Sequence, residues 1–93
     1  MGGISAQFKT FADASAKVWF TQGWKDKVAA GFTNAGAYSG DNFSTLMQLL
    51  TNAMQHSMIW VGTGLKAASY KNGGPSPDDI NRVGSFIGVA AQS

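Results

Sequence analysis

A short loop of small and polar residues, from Thr33 to Asp41, is the stretch best suited to hold a ligand. Its glycines allow the backbone to approach a bound molecule closely, so that N–H groups can reach the polar atoms of that molecule. Tyr38 adds an aromatic ring to the same loop. The helical segment that follows can present its N-terminus to an anion or a carbonyl oxygen, although capping by Asp41 or Asn42 is the simpler interpretation.

Other reactive side chains are sparse. His56 is the only histidine, and the chain contains neither cysteine nor glutamate. These absences exclude disulfides and thiolate catalysis, and no metal site is expected around a lone histidine. No Ser-His-Asp arrangement is recognisable, so a structural or surface role is favoured for His56. Trp19 and Trp24 flank a turn. Packing against other parts of the protein is favoured for these side chains over lining the binding site of a flat ligand.

Apolar periodicity divides the chain into helices and strands. Positions at three- and four-residue steps predict a helix from about Ser5 to Thr21, with Ser5 as its N-cap and Gly23 after its end. A second helix is predicted from Asn42 to His56. Two short apolar runs predict strands at Lys27 to Phe32 and at Met58 to Gly62.

A last helix is predicted after the loop that ends near Pro77. Ser76 is a suitable N-cap, Pro77 suits the first helical position, and Asp78 and Asp79 would face the positive end of the helix. Its inward stripe would comprise Ile80, Val83, Ile87 and Ala90 or Ala91.

The resulting order is helix, strand, helix, strand, helix, which is typical of α/β proteins with parallel strands. Both strands are nearly continuous apolar runs, and this pattern predicts helices on both faces of the sheet. In such sheets ligands bind beyond the carboxyl ends of the strands, where the loop from Thr33 to Asp41 would lie. A complete doubly wound domain needs more strands than 93 residues supply, so we expect a truncated fold.

Composition limits the classes of function. The chain is 44% hydrophobic and 13% charged, which predicts a folded domain with a core. Its net charge of +2 comes from scattered lysines and one arginine, so no nucleic-acid patch is indicated. No apolar stretch is long enough to span a membrane, and no signal peptide is evident. A cytoplasmic location is the expectation.

A series of motifs along nearly the whole chain resembles the carboxyl-terminal half of flavodoxin-like flavoproteins. The family is that of NAD(P)H:quinone oxidoreductases and NADPH-dependent FMN reductases of the tryptophan-repressor-binding-protein type. The motifs, in order, are Gly2-Gly3-Ile4-Ser5-Ala6-Gln7-Phe8-Lys9, Phe11-Ala12-Asp13-Ala14, Trp19, Lys27-Val28-Ala29, Phe32-Thr33-Asn34-Ala35-Gly36, Gly40-Asp41, Thr45-Leu46 and Gln55-His56-Ser57-Met58-Ile59-Trp60-Val61-Gly62.

This resemblance implies FMN as cofactor and NAD(P)H as co-substrate. It places Trp19 on the substrate side of the flavin ring, and it carries His56 over as a weaker ring contact. It leaves the catalytic residues unknown. The residues implied to contact the flavin in two loops are Met1, Gly2, Gly3, Asn34, Ala35, Gly36, Ala37, Tyr38 and Ser39.

The resemblance also predicts what these 93 residues do not carry, namely the Ser/Thr-rich loop that binds the FMN phosphate in the family. We therefore expect weak FMN binding by the chain alone. A homodimer through the exposed strand at Lys27 to Phe32 would complete the fold, and an amino-terminal half is a second possible partner. A non-enzymatic homo-oligomeric module and one half of a split flavoprotein are the alternative functions.

Overall fold

Two helices precede the first strand in the computed structural model, which describes residues 2–38, 40–74, 76 and 78–93. The helices are α1 (Ala6–Ala14), α2 (Ala16–Thr21) and α3 (Gly40–Gln55), with a short 3-10 helix at Ala68–Tyr70. The strands are β1 (Val28–Ala29), β2 (Phe32–Ala35), β3 (Ile59–Trp60) and β4 (Val89–Gln92). All strand pairs are parallel, which confirms the predicted α/β class.

The first predicted helix is divided at Ser15 into α1 and α2. Ser5 caps α1 as predicted, since its Oγ accepts the N–H of Phe8 at 3.1 Å. The Ser15 hydroxyl donates to the carbonyl of Ala12 at 2.6 Å, a local bond that competes with regular helix geometry. Gln22, in the left-handed conformation with φ of 55°, ends α2 one residue before the expected Gly23.

One side of the segment from residue 27 to residue 35 is paired along its whole length. Odd-numbered carbonyls on this side accept N–H groups first from β3 and then from β4. Because backbone groups point to alternate sides along a strand, β3 and β4 lie on the same side. They act as one partner strand interrupted by the β3–β4 connection, residues 61–88. The bonds run from Ile59 to Lys27 at 2.8 Å, Val61 to Ala29 at 2.9 Å, Val89 to Gly31 at 3.0 Å and Ser93 to Ala35 at 2.9 Å.

The predicted last helix is wrong. The region from residue 78 to 88 forms turns and bends, and Val89–Gln92 is strand β4, paired with β2. Asn81 and Gly84 have φ of 56° and 73°, which a right-handed helix does not allow. Asp79 accepts the N–H of Ser76 at 2.7 Å, so the helix-start motif makes only a turn, and Pro77 lies outside the described residues.

The other boundaries shift by a few residues. The predicted strand at Lys27 to Phe32 is two strands, and the second of these continues to Ala35. Helix α3 begins at Gly40, so both proposed caps, Asp41 and Asn42, lie inside it. The second predicted strand is shortened to Ile59–Trp60.

Helix α3 covers one face of the sheet, where Leu46 is fully buried. Glycines at two neighbouring positions let the helix come close, because Gly31 and Gly88 directly precede the paired strands β2 and β4. A Cβ atom on Gly88 would lie 2.6 Å from Cδ2 of Leu46 and 2.7 Å from the carbonyl oxygen of Gly31. The small core therefore depends on the absence of side chains at these two positions.

The opposite face of the sheet carries no helix within the described residues, contrary to the prediction of helices on both faces. We call it the bare face. It consists of Val28, Phe32, Ile59, Val61 and Val89, all of them exposed. The accessible surface is 6334 Å², compared with about 5,200 Å² for a compact monomer of this mass. The radius of gyration is 15.0 Å, where about 12 Å is expected for this length.

The even-numbered backbone groups of residues 28–34 point away from β3 and β4. No strand of the described residues pairs with them, so this side of the sheet is an open edge. An apolar groove of about 720 Å³ runs along the edge beneath α1. No helix in the described part of the chain has the length and apolar character needed to cross a bilayer.

We predict that Gly88→Ala lowers the free energy of unfolding by about 1–3 kcal/mol, because the added methyl group overlaps Leu46 and the backbone of Gly31. Gly36→Ala is the matched control, since a Cβ atom there meets no atom within 4 Å. Urea unfolding followed by circular dichroism measures both variants. Equal stability of the two variants would contradict the described position of β4.

Candidate functional site

The carboxyl ends of β2 and β4 meet at one edge of the sheet, which we call the carboxyl edge. Ala35 and Gln92 are paired there, and the loop of Gly36, Ala37 and Tyr38 follows directly. Ser39 and Met1, both predicted flavin contacts, lie outside the described residues. Asn34 and Ala35, also predicted in the loop, belong to β2 instead.

The loop exposes both backbone and an aromatic ring. No atom of the described residues lies within 4 Å of the position that a Cβ on Gly36 would occupy, so a flat molecule can approach the main chain there. The Tyr38 side chain is 58% exposed. The loop can therefore offer backbone hydrogen bonds and a stacking surface at the place where ligands bind to sheets of this class.

Two polar side chains that the sequence did not single out hold this loop. Gln92 donates from Nε2 to the carbonyl of Gly36 at 3.2 Å, and its Oε1 accepts a hydrogen bond from Arg82 Nη2 at 2.6 Å. The Arg82 guanidinium carbon also lies 5.3 Å from the centre of the Tyr38 ring. The sequence pattern predicts both residues in or beside a helix, and nothing in their spacing indicates that they meet.

Gly2 and Gly3, the other described part of the predicted flavin site, lie against the first half of α3. Ser44 donates to the carbonyl of Gly2 at 3.0 Å, and the N–H of Ile4 donates to Gln48 at 3.2 Å. These contacts fix Gly2 and Gly3 near the helix. The space that a Cβ on Gly2 would occupy is free of atoms of the described residues.

His56 and Trp19 lie at the other end of α3. A helix of 16 residues is about 24 Å long, so the structure does not bring them to the loop at Gly36 and Tyr38. Trp19 and His56 instead line a separate cleft of about 420 Å³. Their implied contacts with the flavin ring and its substrate side stay predictions.

His56 is 2% exposed, and its environment is that of a buried structural residue. Its Nε2 is 2.9 Å from Ser15 Oγ, and its ring centre is 4.4 Å from that of Trp24. The Ser15 hydroxyl already gives its one proton to Ala12, so the imidazole donates through Nε2–H. Nδ1 is then the acceptor nitrogen, and it has no hydrogen-bond partner among the described residues.

The β3–β4 connection is stabilised by its own polar contacts. The N–H of Ser76 and the ammonium group of Lys71 hold the pKa of Asp79 below its ordinary value, so this carboxylate stays ionised into more acidic solution. Asn81 accepts the N–H of Ser85 at 2.9 Å, and its carbonyl accepts the N–H of Ala68 at 3.1 Å. These bonds give the connection a defined path from β3 to Arg82.

Metal binding has no support in the part of the chain that the structure describes. No three residues among its histidine and aspartates come together there.

Comparison with known proteins identifies relatives along the whole chain. Flavodoxin FldP of Pseudomonas aeruginosa is 43% identical over 93 residues, which is 100% of this chain and 50% of that protein. An NAD(P)H dehydrogenase (quinone) of Archaeoglobus fulgidus is 30% identical over 90 residues, covering 97% of this chain and 41% of that protein. A flavodoxin, WrbA-like protein from Agrobacterium tumefaciens superposes with a TM-score of 0.70 at 41% identity.

The chain is homologous along its whole length to part of flavodoxin-like proteins. It spans about half the length of the relatives it matches, and the solved structure is covered over 46% of its length by the whole of this chain. No family model matches the sequence. The resemblance given by the motifs is confirmed, and the flavodoxin-like fold with it.

We predict that Ser15→Ala lowers the free energy of unfolding by about 1–3 kcal/mol, because the buried Nε2–H of His56 loses its acceptor. Ser44→Ala is the control, since its hydroxyl makes one exposed bond to Gly2 and its loss should cost less than about 1 kcal/mol. Thermal and urea unfolding measure both. A Ser15 variant as stable as the Ser44 variant would show that His56 does not depend on this bond.

Proposed function

We propose that this chain supplies part of an FMN site in an oxidoreductase of the NAD(P)H:quinone type. The observation that carries the proposal is the loop of Gly36, Ala37 and Tyr38 at the carboxyl edge. It presents open backbone and an exposed aromatic ring in a chain related along its whole length to a flavodoxin. FldP is named as a flavodoxin and the archaeal relative as a quinone dehydrogenase, and the proposal transfers these activities to the present chain.

The described residues fit one side of an isoalloxazine ring. Gly36 leaves room for the ring to lie against the main chain, where N–H and C=O groups can bond to the polar edge of the flavin. Tyr38 can pack on the ring face. Gly2 and Gly3, held near the start of α3, would offer a second stretch of backbone.

Each of these groups has a simple task in the proposed site. The loop orients the ring through its backbone groups and the Tyr38 side chain. Bound FMN would supply the redox chemistry, passing electrons from NAD(P)H to a quinone. A cytoplasmic location, where NAD(P)H is available, belongs to the same proposal.

Titration with FMN tests this proposal. We expect quenching of FMN fluorescence with a micromolar or weaker dissociation constant, because a few ring contacts must overcome the entropy cost of association. Gly36→Val should weaken binding at least tenfold by blocking approach to the backbone, and Tyr38→Ala should weaken it less.

Circular dichroism controls for folding, since the open position at Gly36 tolerates a side chain. Equal affinities of the wild-type, Gly36 and Tyr38 chains would contradict a flavin at this loop. Absence of quenching by millimolar FMN would contradict the proposal altogether.

For assembly, we propose that two copies of the chain pair through the open edge. The strand segment from Lys27 to Phe32 would meet its counterpart antiparallel across a twofold axis. The support is the unpaired even-numbered backbone and the exposed apolar residues beside it, which together resemble an unfinished sheet. The excess of about 1,100 Å² over a compact monomer is comparable with the roughly 800 Å² that each partner buries in a standard interface.

We predict a dimer by light scattering at micromolar concentration, which Phe32→Asp should convert to monomer. Phe20→Asp is a matched control, because Phe20 on α2 has the same 82% exposure as Phe32 but lies away from the edge. A folded monomer of the wild-type chain would refute the dimer. Dissociation on adding the other half of a relative would identify that half as the preferred partner for the same edge.

A further inference from the structure

Arg82 reaches the candidate flavin site from a part of the chain remote in sequence. It lies near the end of the β3–β4 connection, and its Nη2 donates to Gln92 Oε1 at 2.6 Å. Gln92 in turn donates to the carbonyl of Gly36 at 3.2 Å, a residue 56 positions earlier. Arg82 Nη1 lies 3.4 Å from the Tyr38 hydroxyl. One guanidinium is thus linked to both ends of the loop, directly to Tyr38 and through Gln92 to Gly36.

Among the described residues, no carboxylate forms a salt bridge with Arg82. The salt bridges of the described residues join Lys9 to Asp13 and Lys71 to Asp79, and Arg82 takes part in neither. A guanidinium stays protonated under all ordinary conditions, so the loop carries a permanent positive charge at its edge. Such a charge favours negative charge on any molecule that the loop binds.

We propose that Arg82 is a positioning residue of the flavin site. Through Gln92 and Tyr38 it fixes the loop of Gly36, Ala37 and Tyr38, and its charge makes the site favour reduced, anionic flavin over oxidised flavin. This inference rests on the proposed FMN site, but it adds a residue that neither the motifs nor the relatives' names assign.

The first test measures the loop without flavin. Hydrogen exchange of the amides of Gly36 to Tyr38 should become at least tenfold faster in R82Q, because the contact with Tyr38 and the bond that orients Gln92 are both lost. R82K should also exchange faster, since an ammonium group cannot copy the two-sided contact of the guanidinium. Lys66→Gln is the control, because Lys66 lies over Tyr70 in the same connection, 5.6 Å from its ring centre. Unchanged exchange in R82Q would overturn the positioning role.

The second test compares oxidised and chemically reduced FMN in anaerobic titrations of the same chains. The wild type should prefer the reduced form, and R82Q should lose about tenfold of that preference, or about 30 mV for a two-electron couple. R82K should keep most of the preference, because the charge remains. Comparison of R82K with R82Q therefore separates the effect of the charge from the effect of loop order.

The outcomes also separate this inference from the proposed function. If the wild-type chain binds neither form of FMN, the proposed site and the charge effect both fail. If FMN binds, but R82Q keeps the wild-type ratio and exchange rates, the FMN site stands and the role of Arg82 is overturned.

Discussion

Parallel pairing along one side of residues 27–35 is the constraint on which the rest of the structure depends. Two separate segments, β3 and β4, must arrive in succession beside this strand, in the same direction and on the same side. Leu46 then packs closely against Gly31 and Gly88, and this contact buries one face of the sheet under α3. If β4 did not pair with β2, the carbonyls from Gly31 to Ala35 that face β4 would lack hydrogen-bond donors in an apolar sheet.

The same constraint builds the candidate site. Because β4 ends beside β2, Gln92 comes within hydrogen-bond distance of Gly36, and the β3–β4 connection brings Arg82 to Tyr38. The loop at the carboxyl edge is therefore held by residues from both sides of the connection. His56 and Trp19, at the other end of α3, belong to a different region, where His56 links α3 to the junction of α1 and α2.

The pairing also explains which surfaces remain uncovered. The odd-numbered positions of β1 and β2 pack under α3, and the even-numbered ones leave the bare face and the open edge apolar and exposed. A two-layer slab with extents of 51 × 27 × 16 Å cannot bury both faces of its sheet. In a single chain the bare face and the open edge therefore stay uncovered.

The sequence by itself determined the local features. The apolar spacing predicted α1 with α2, and α3, to within a few residues, and Ser5 was identified as a cap because capping is a local interaction. The apolar runs predicted parallel strands, and the motifs predicted the flavodoxin-like fold and the loop near Gly36 and Tyr38. These features depend on neighbours close in sequence or on a pattern repeated along the chain.

Only the tertiary structure decided what Val89–Gln92 becomes. Val-Ala-Ala-Gln is compatible with a helix or a strand, and the unpaired carbonyls of β2 select the strand from 56 or more positions away. The meeting of Arg82 with Tyr38 and the burial of His56 against Ser15 arise in the same way. Such contacts join residues far apart in sequence, and local spacing carries no information about them.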